Sequence, residues 1–156
     1  MAANGYDTEA VGQVIDSFGT RPEMLVQILQ GVVQRIGWVP EEVIRQLADA
    51  LNLSRADVHG VVSFYHDFRT TPPGRHIVKI CQAEACQAMG SRELTDHAEK
   101  TLGVPMHGGN DEFTLEPTYC LGNCACSPAV MIDSKTYGRV SSDRFDELVA
   151  AMQGDA

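Results

Sequence analysis

The chain has 156 residues, 44% of them hydrophobic, and a formal net charge of −9. That is room for one domain, or one small domain with an appendage, and enough apolar content for a packed core. The acidic excess is spread evenly, with 5 basic and 9 acidic residues in 1–70 and 7 basic and 12 acidic in 71–156, which excludes the basic face that nucleic acid or an anionic membrane requires.

No apolar run approaches the roughly 20 residues that a bilayer-spanning helix needs. The opening MAANGYDTEA has neither a basic nor an apolar leader segment. The sequence therefore predicts a cytoplasmic protein in a reducing compartment, where cysteines serve as metal ligands or catalytic groups more often than as disulfides.

Taken in chain order, a short helix is predicted before Gly19. Thr20-Arg21-Pro22-Glu23 reads as a capping box with proline in the first turn. Leu25, Ile28 and Val32 then keep helical spacing up to Gly37, a natural stop. Pro40-Glu41-Glu42 opens the next helix, with carboxylates at the positive end of the dipole and Val43, Ile44, Leu47 and Leu51 as its apolar face. Ser54 caps a third, whose stripe is Val58, Val61, Tyr65 and Phe68. Helices this short do not bury their faces alone, so they are predicted to pack as a helical unit over residues 1–70.

Thr71-Pro72-Pro73-Gly74 breaks the pattern as a hinge would, and a second unit, 75–156, follows it. Residues 76–80 form a β-type run ending at Cys81. Leu94, Ala98 and Leu102 carry a helix that Gly103 closes. Residues 113–119 are a second strand, in which Pro117 must sit at an edge. Residues 129–132 are a third and 137–140 a fourth, after a turn. Phe145, Leu148, Val149 and Met152 mark a closing helix capped near Ser142 or Asp143. The predicted fold class is α+β: an N-terminal helical bundle, then an α/β layer of helices on a four-stranded mixed sheet.

The cysteines carry the chemistry. Cys81 ends one predicted strand and Cys86 lies in the loop behind it; Cys120 ends another strand and Cys124 lies in the loop behind that. The corners read C-x4-C and C-x3-C, with 33 residues between them. Each offers two thiolates to one metal ion, and the two meet if their strands are neighbours. Four thiolates in two pairs fit a [2Fe–2S] cluster, and loop amides suit its sulfurs as hydrogen-bond donors. Structural zinc also takes four cysteines, with pairs at about two to four residues. Disulfides suit an exported chain, and a thioredoxin-type dithiol uses C-x-x-C, which is absent. On spacing alone the cluster leads, and zinc and thiol chemistry stay open. Cys126 fits neither corner and reads as a small buried hydrophobe ahead of a spare ligand or reactive thiol.

GRHIVKIC at 74–81, the C-x4-C after it, and Cys120-Leu121-Gly122-Asn123-Cys124 followed by Pro128 resemble the thioredoxin-like [2Fe–2S] ferredoxin family, which includes the small subunit of NADH:quinone oxidoreductase (complex I). VHGVVSFYHDF at 58–68 resembles the last helix of the helical part of those subunits. Within the family, CQAEACQAMG and CLGNCACSPAVMI look most like the gamma subunit of soluble, NAD-dependent, molybdenum-containing formate dehydrogenases. The resemblance implies a thioredoxin-like domain over 75–156 and one [2Fe–2S] cluster, with Cys81 and Cys86 on one iron and Cys120 and Cys124 on the other. It implies single-electron exchange with a flavin- and NAD-binding beta-type subunit. That subunit would sit in a complex whose molybdenum-containing alpha-type subunit converts formate and NAD⁺ to CO2 and NADH. FMN, NAD, further Fe–S clusters and the molybdenum cofactor are then expected on those partners. The equivalent subunit of complex I or of an NAD-linked hydrogenase is the alternative; a zinc-stabilised scaffold, or a thiol oxidoreductase using Cys124 and Cys126, belongs to other classes.

The remaining residues carry less. His59 and His66 flank an apolar stripe and show no metal spacing. His76 reads as a surface or packing residue, although its strand leads toward Cys81. Trp38 reads as a packing anchor, and Phe64, Tyr65 and Phe68 as core. There is no G-x-G-x-x-G or phosphate loop, and no acid, base or nucleophile constellation accompanies the cysteines. Hydride chemistry needs a flavin or nicotinamide site, so the chain reads as an electron carrier with no catalytic site of its own.

Overall fold

The computed structural model describes residues 5–154, which divide between Pro72 and Pro73 into two compact units. In the first, helix α1 (Thr8–Phe18) starts on Asp7, whose carboxylate accepts the Glu9 and Ala10 amides at 3.0 and 3.1 Å, the usual way to satisfy a first-turn donor. The capping box expected at Thr20 does not form. Pro22–Met24 winds into a tighter turn closed by the Met24 amide on the Arg21 carbonyl at 2.9 Å, so Arg21 leads it without a side-chain cap, and helix α2 (Leu25–Ile36) follows. Its end is as expected, at Gly37 with φ 89.

Helix α3 (Glu41–Leu51) begins just after Pro40 and buries Val43, Ile44, Leu47, Ala48 and Leu51. Helix α4 (Arg55–Phe64) opens on the predicted cap: Ser54 Oγ accepts the Asp57 amide and the Asp57 carboxylate accepts the Ser54 amide. The stripe expected through Tyr65 and Phe68 is not helical. Tyr65 is extended, the Phe68 amide turns the chain back onto the Tyr65 carbonyl, and the Val39 amide holds the Arg69 carbonyl at 2.8 Å. That return buries Phe68 and leaves Phe64 and Tyr65 exposed at 73% and 44%, so these two are not core. Val11, Ile28, Leu29, Val32, Val43, Leu47 and Val58 form a fully buried centre, each side chain contributing about 1.5–3 kcal/mol by leaving water. Trp38 packs against it and meets Tyr6 edge-on at 6.3 Å.

The second unit is built on a mixed four-stranded sheet in the order β2-β1-β3-β4. Strand β1 (His76–Cys81) pairs parallel with β2 (Phe113–Thr118) and antiparallel with β3 (Val130–Ile132), which pairs antiparallel with β4 (Lys135–Tyr137). Pro117 lies on the edge strand, where a missing N–H is tolerated. The fourth strand comes earlier than expected, because β3 and β4 are joined by the two-residue turn Asp133-Ser134, with Asp133 at φ 54. Asp133 also accepts the Ile77 amide and pairs with His76 Nδ1 at 3.1 Å.

The short helix α5 (Glu84–Ala88), helix α6 (Ser91–Leu102) and helix α7 (Ser142–Gly154) complete the unit. Ser141, one residue before the expected cap, accepts the Arg144 amide. Val78, Ile80, Leu94, Ala98, Leu115, Val130 and Phe145 share its core. His97 on α6 bonds Asp146 on α7 at 2.7 Å and stacks its edge on Phe145. Among the described residues, no helix is long and apolar enough to cross a membrane.

Candidate metal centre

Parallel pairing of β1 and β2, with Cys81 in register with Thr118, sends the chain out of both strands at the same end of the sheet. The Gln82 amide continues the pairing onto the Thr118 carbonyl at 2.8 Å, and the Cys81 amide bonds the Ala129 carbonyl at 3.0 Å. Cys81 is thereby fixed between two neighbours and buried. Behind it the chain does not form the expected loop but the five-residue helix α5, on which Cys86 points inward and is also buried. Ala83, Leu121 and Ala129 pack around this first pair.

The second corner is more open. Cys120 stands two residues past the end of β2, at φ 94, and Cys124 opens a short 3-10 turn that runs to Cys126. Both are exposed, and their sulfurs lie 3.8 Å apart. A disulfide is about 2.05 Å, so these are separate thiols. Two thiolates at about 2.3 Å from one tetrahedral ion stand roughly 3.8 Å apart, which matches this separation. The Gly122 amide donates to Cys120 Sγ at 3.3 Å, from a glycine whose φ of 73 aims it inward.

The two corners meet. Burial disfavours the Cys81 thiolate, but the Ala83, Cys120 and Leu121 amides donate to its sulfur and, with the Cys86 side chain beside it, hold the thiol below its usual range. Cys124 is pushed up, first by its hydrogen bond to Cys120 and by the charge there, and also by the charges of Cys86 and Cys81. The Cys124 sulfur thus lies within electrostatic reach of Cys81 and Cys86, and the Cys120 and Leu121 amides reach the Cys81 sulfur. Among the described residues, no three His, Cys, Asp or Glu side chains converge as the ligands of a single ion would. The cysteines come as two pairs, and a binuclear centre takes two ligands on each ion. Thiolates in pairs, with backbone amides aimed at the sulfurs, fit a [2Fe–2S] cluster.

Other residues fall outside this group. Cys126, expected to be buried, is half-exposed; its carbonyl accepts the Arg139 amide at 2.6 Å, and its sulfur makes none of the contacts that join the four. His76 is at the far end of β1, about 17 Å from Cys81 over five strand steps, and takes no part. Spacing gave no sign of Ser127, which is buried and bonded to both corners: the Cys86 thiol donates to Ser127 Oγ at 3.4 Å, and that hydroxyl donates to the Cys124 carbonyl at 2.9 Å. An open cleft of about 550 Å³ runs beside Cys124, lined by Met89, Glu93, Pro128 and Arg139 among others.

The family model of thioredoxin-like [2Fe–2S] ferredoxins matches residues 11–153. The chain belongs to that family. Similar members of the family include a subunit of the NADH-quinone oxidoreductase of Pseudomonas aeruginosa, 35% identical over 81% of this chain and 77% of the relative. The HndA subunit of the NADP-reducing hydrogenase of Solidesulfovibrio fructosivorans is 30% identical over 90% of this chain and 83% of its own length. Among solved structures, an NAD⁺-reducing [NiFe]-hydrogenase matches with a TM-score of 0.71 at 21% identity, over 85% of this chain but only 23% of the longer hydrogenase chain. That likeness concerns the fold alone, and the fold is thioredoxin-like.

Proposed function

We propose that this ferredoxin-family chain is the [2Fe–2S] electron-transfer subunit of an NADH-dehydrogenase-like complex, of the NADH:quinone oxidoreductase or NAD(P)-linked hydrogenase type. The observation that carries the reading is the meeting of two cysteine pairs at the same end of two parallel strands, with one pair at the spacing of ligands on one ion. In this reading Cys81 and Cys86 hold one iron and Cys120 and Cys124 the other, on a domain spanning 75–156, while the helical unit 1–70 holds no cysteine. When bound, the cluster supplies uptake and return of one electron at a time. The amides of Ala83, Cys120, Leu121 and Gly122 offset the added negative charge on the sulfurs. Burial of Cys81 and Cys86 keeps water from one side, so the exposed Cys120–Cys124 edge is where a redox partner comes nearest.

That partner is a flavin- and NAD-binding subunit, which handles the hydride that a one-electron carrier does not. A finer reading, carried by the residues between Cys81 and Gly90 and by Cys126, places the complex among molybdenum formate dehydrogenases, with formate oxidised on an alpha-type subunit. Purified protein tests the first reading: about two irons per chain, a red-brown spectrum and a spin-half EPR signal on reduction. Zinc without iron would end it. The proteins that co-purify with the chain separate complex I, hydrogenase and formate dehydrogenase.

A further inference from the structure

We propose that Ser127 is a positioning residue of the metal centre, whose hydroxyl donates to the Cys86 sulfur once that sulfur is an iron-bound thiolate and so favours the reduced state. The inference rests on Cys86 being a ligand, as argued above, and adds a role to a residue outside the cysteine set.

Ser127 is 8% exposed and its Oγ lies between the corners, 3.4 Å from Cys86 Sγ and 2.9 Å from the Cys124 carbonyl. With Cys86 as a thiol, the S–H donates to Oγ and the O–H goes to the carbonyl. Metal binding removes the thiol proton, leaving a buried anionic sulfur next to a hydroxyl with one hydrogen. Turning that hydrogen about the Cβ–Oγ bond brings it onto the sulfur without moving the oxygen. A charge-assisted bond is roughly twice as strong as a neutral one, so the anionic sulfur wins the hydrogen from the carbonyl.

The consequence is a potential. Reduction adds negative charge that the ligand sulfurs share, and a donor to one of them stabilises the reduced form more than the oxidised. Cys81 has three backbone amides for this purpose, whereas the Ser127 hydroxyl is the group placed at Cys86.

The test is a redox titration of the full chain followed by EPR, on wild type and on Ser127→Ala, Ser127→Thr and Ser127→Val. Thr and Val have nearly the same shape and differ by the hydroxyl, so the pair separates the hydrogen bond from the added methyl group. Ser127→Ala and Ser127→Val are expected to be harder to reduce by about tenfold in equilibrium constant, which is about 59 mV for one electron. Ser127→Thr is expected to stay near wild type, and the hydrogen–deuterium shift of the iron–cysteine Raman bands should shrink only in the variants without a hydroxyl. If Ser127→Ala fails to assemble, the Thr and Val pair decides. Equal potentials in that pair would overturn the role of Ser127 while leaving the cluster intact; a wild-type protein with no cluster would instead overturn the reading beneath it.

Discussion

Gly138 is the most exacting steric position beside the metal centre. It sits after β4 with no left-handed φ, so an alanine there meets no backbone penalty, and its effect is packing alone. A Cβ built on it would stand 2.6 Å from the Cys126 Cβ, 2.7 Å from Asn123 Nδ2 and 2.9 Å from the Cys126 carbonyl oxygen. Two of these three atoms cannot swing aside, because they belong to the turn that carries Cys124 and Cys126. Restoring ordinary contact requires that turn to move by close to an ångström, at an overpacking cost of about 1–3 kcal/mol. In a unit of this size 2 kcal/mol lowers the melting midpoint by roughly 10 °C. Because the strain falls on the Cys120–Cys124 corner, Gly138→Ala should also shorten the lifetime of the visible chromophore in the presence of a chelator. Gly60, exposed on α4 with nothing within 4 Å of its would-be Cβ, is the matched control. Gly60→Ala should raise stability by about 0.5–1 kcal/mol. If calorimetry found Gly138→Ala as stable as wild type, with chromophore decay unchanged, the close approach of β4 to the cysteine turn would be wrong.

Single serine replacements of Cys81, Cys86, Cys120 and Cys124 should each abolish or destabilise the chromophore, read by absorption and iron content, whereas Cys126→Ser should keep it; the reverse result at 124 and 126 would reassign that corner. Phe145→Ala should destabilise the second unit by about 3–5 kcal/mol, because the ring is fully buried among α6, α7 and the sheet; urea unfolding followed by circular dichroism measures it. Ser54→Ala should cost about 1 kcal/mol through loss of the reciprocal cap on α4. Asp57 is held below the usual carboxylate range chiefly by the Ser54 hydroxyl, so its support is present at neutral pH and fades as pH falls below 3.8 and through the lowered value. An acid titration of wild type against Ser54→Ala should show the two curves converging.

Local signals gave the elements wherever a single residue type decides the geometry. Gly37, Gly103 and Ser54 mark helix ends because left-handed backbone or a side-chain cap is needed there, and each end falls at its residue. The expected stripe through Tyr65 and Phe68 failed because the bond from Val39 to Arg69, between residues 30 apart, takes the chain out of the helix, and no helical period carries that information. Helix α5 looks like a loop in the sequence because five residues are too few for a period to show. At the candidate metal centre, the spacing showed two cysteine corners, and the structure places Cys81 and Cys86 in one and Cys120 and Cys124 in the other. The helix under Cys86, the partial exposure of Cys126 and the two hydrogen bonds of Ser127 were not legible, because each depends on how the chain packs around the corners.

The number of residues between the corners is itself structural. Had β1 and β2 formed an antiparallel pair, the segments after them would leave from opposite ends of the sheet. Cys81 and Cys120 would then be separated by about the length of a six-residue strand, roughly 20 Å. Parallel pairing puts both exits on one side but requires a crossover of a dozen residues or more, and residues 82–112 between the two strands, which include α5 and α6, supply it. The strand order then settles the asymmetry of the site. β1 is flanked on both sides, by β2 and β3, so Cys81 at its end is enclosed and bonded to Ala129. β2 is an edge, so the chain leaving it carries Cys120 and Cys124 into the open. A carrier needs one sheltered side, where the charge is held, and one accessible side, where it is exchanged. Here both follow from placing the first cysteine strand inside the sheet and the second at its rim.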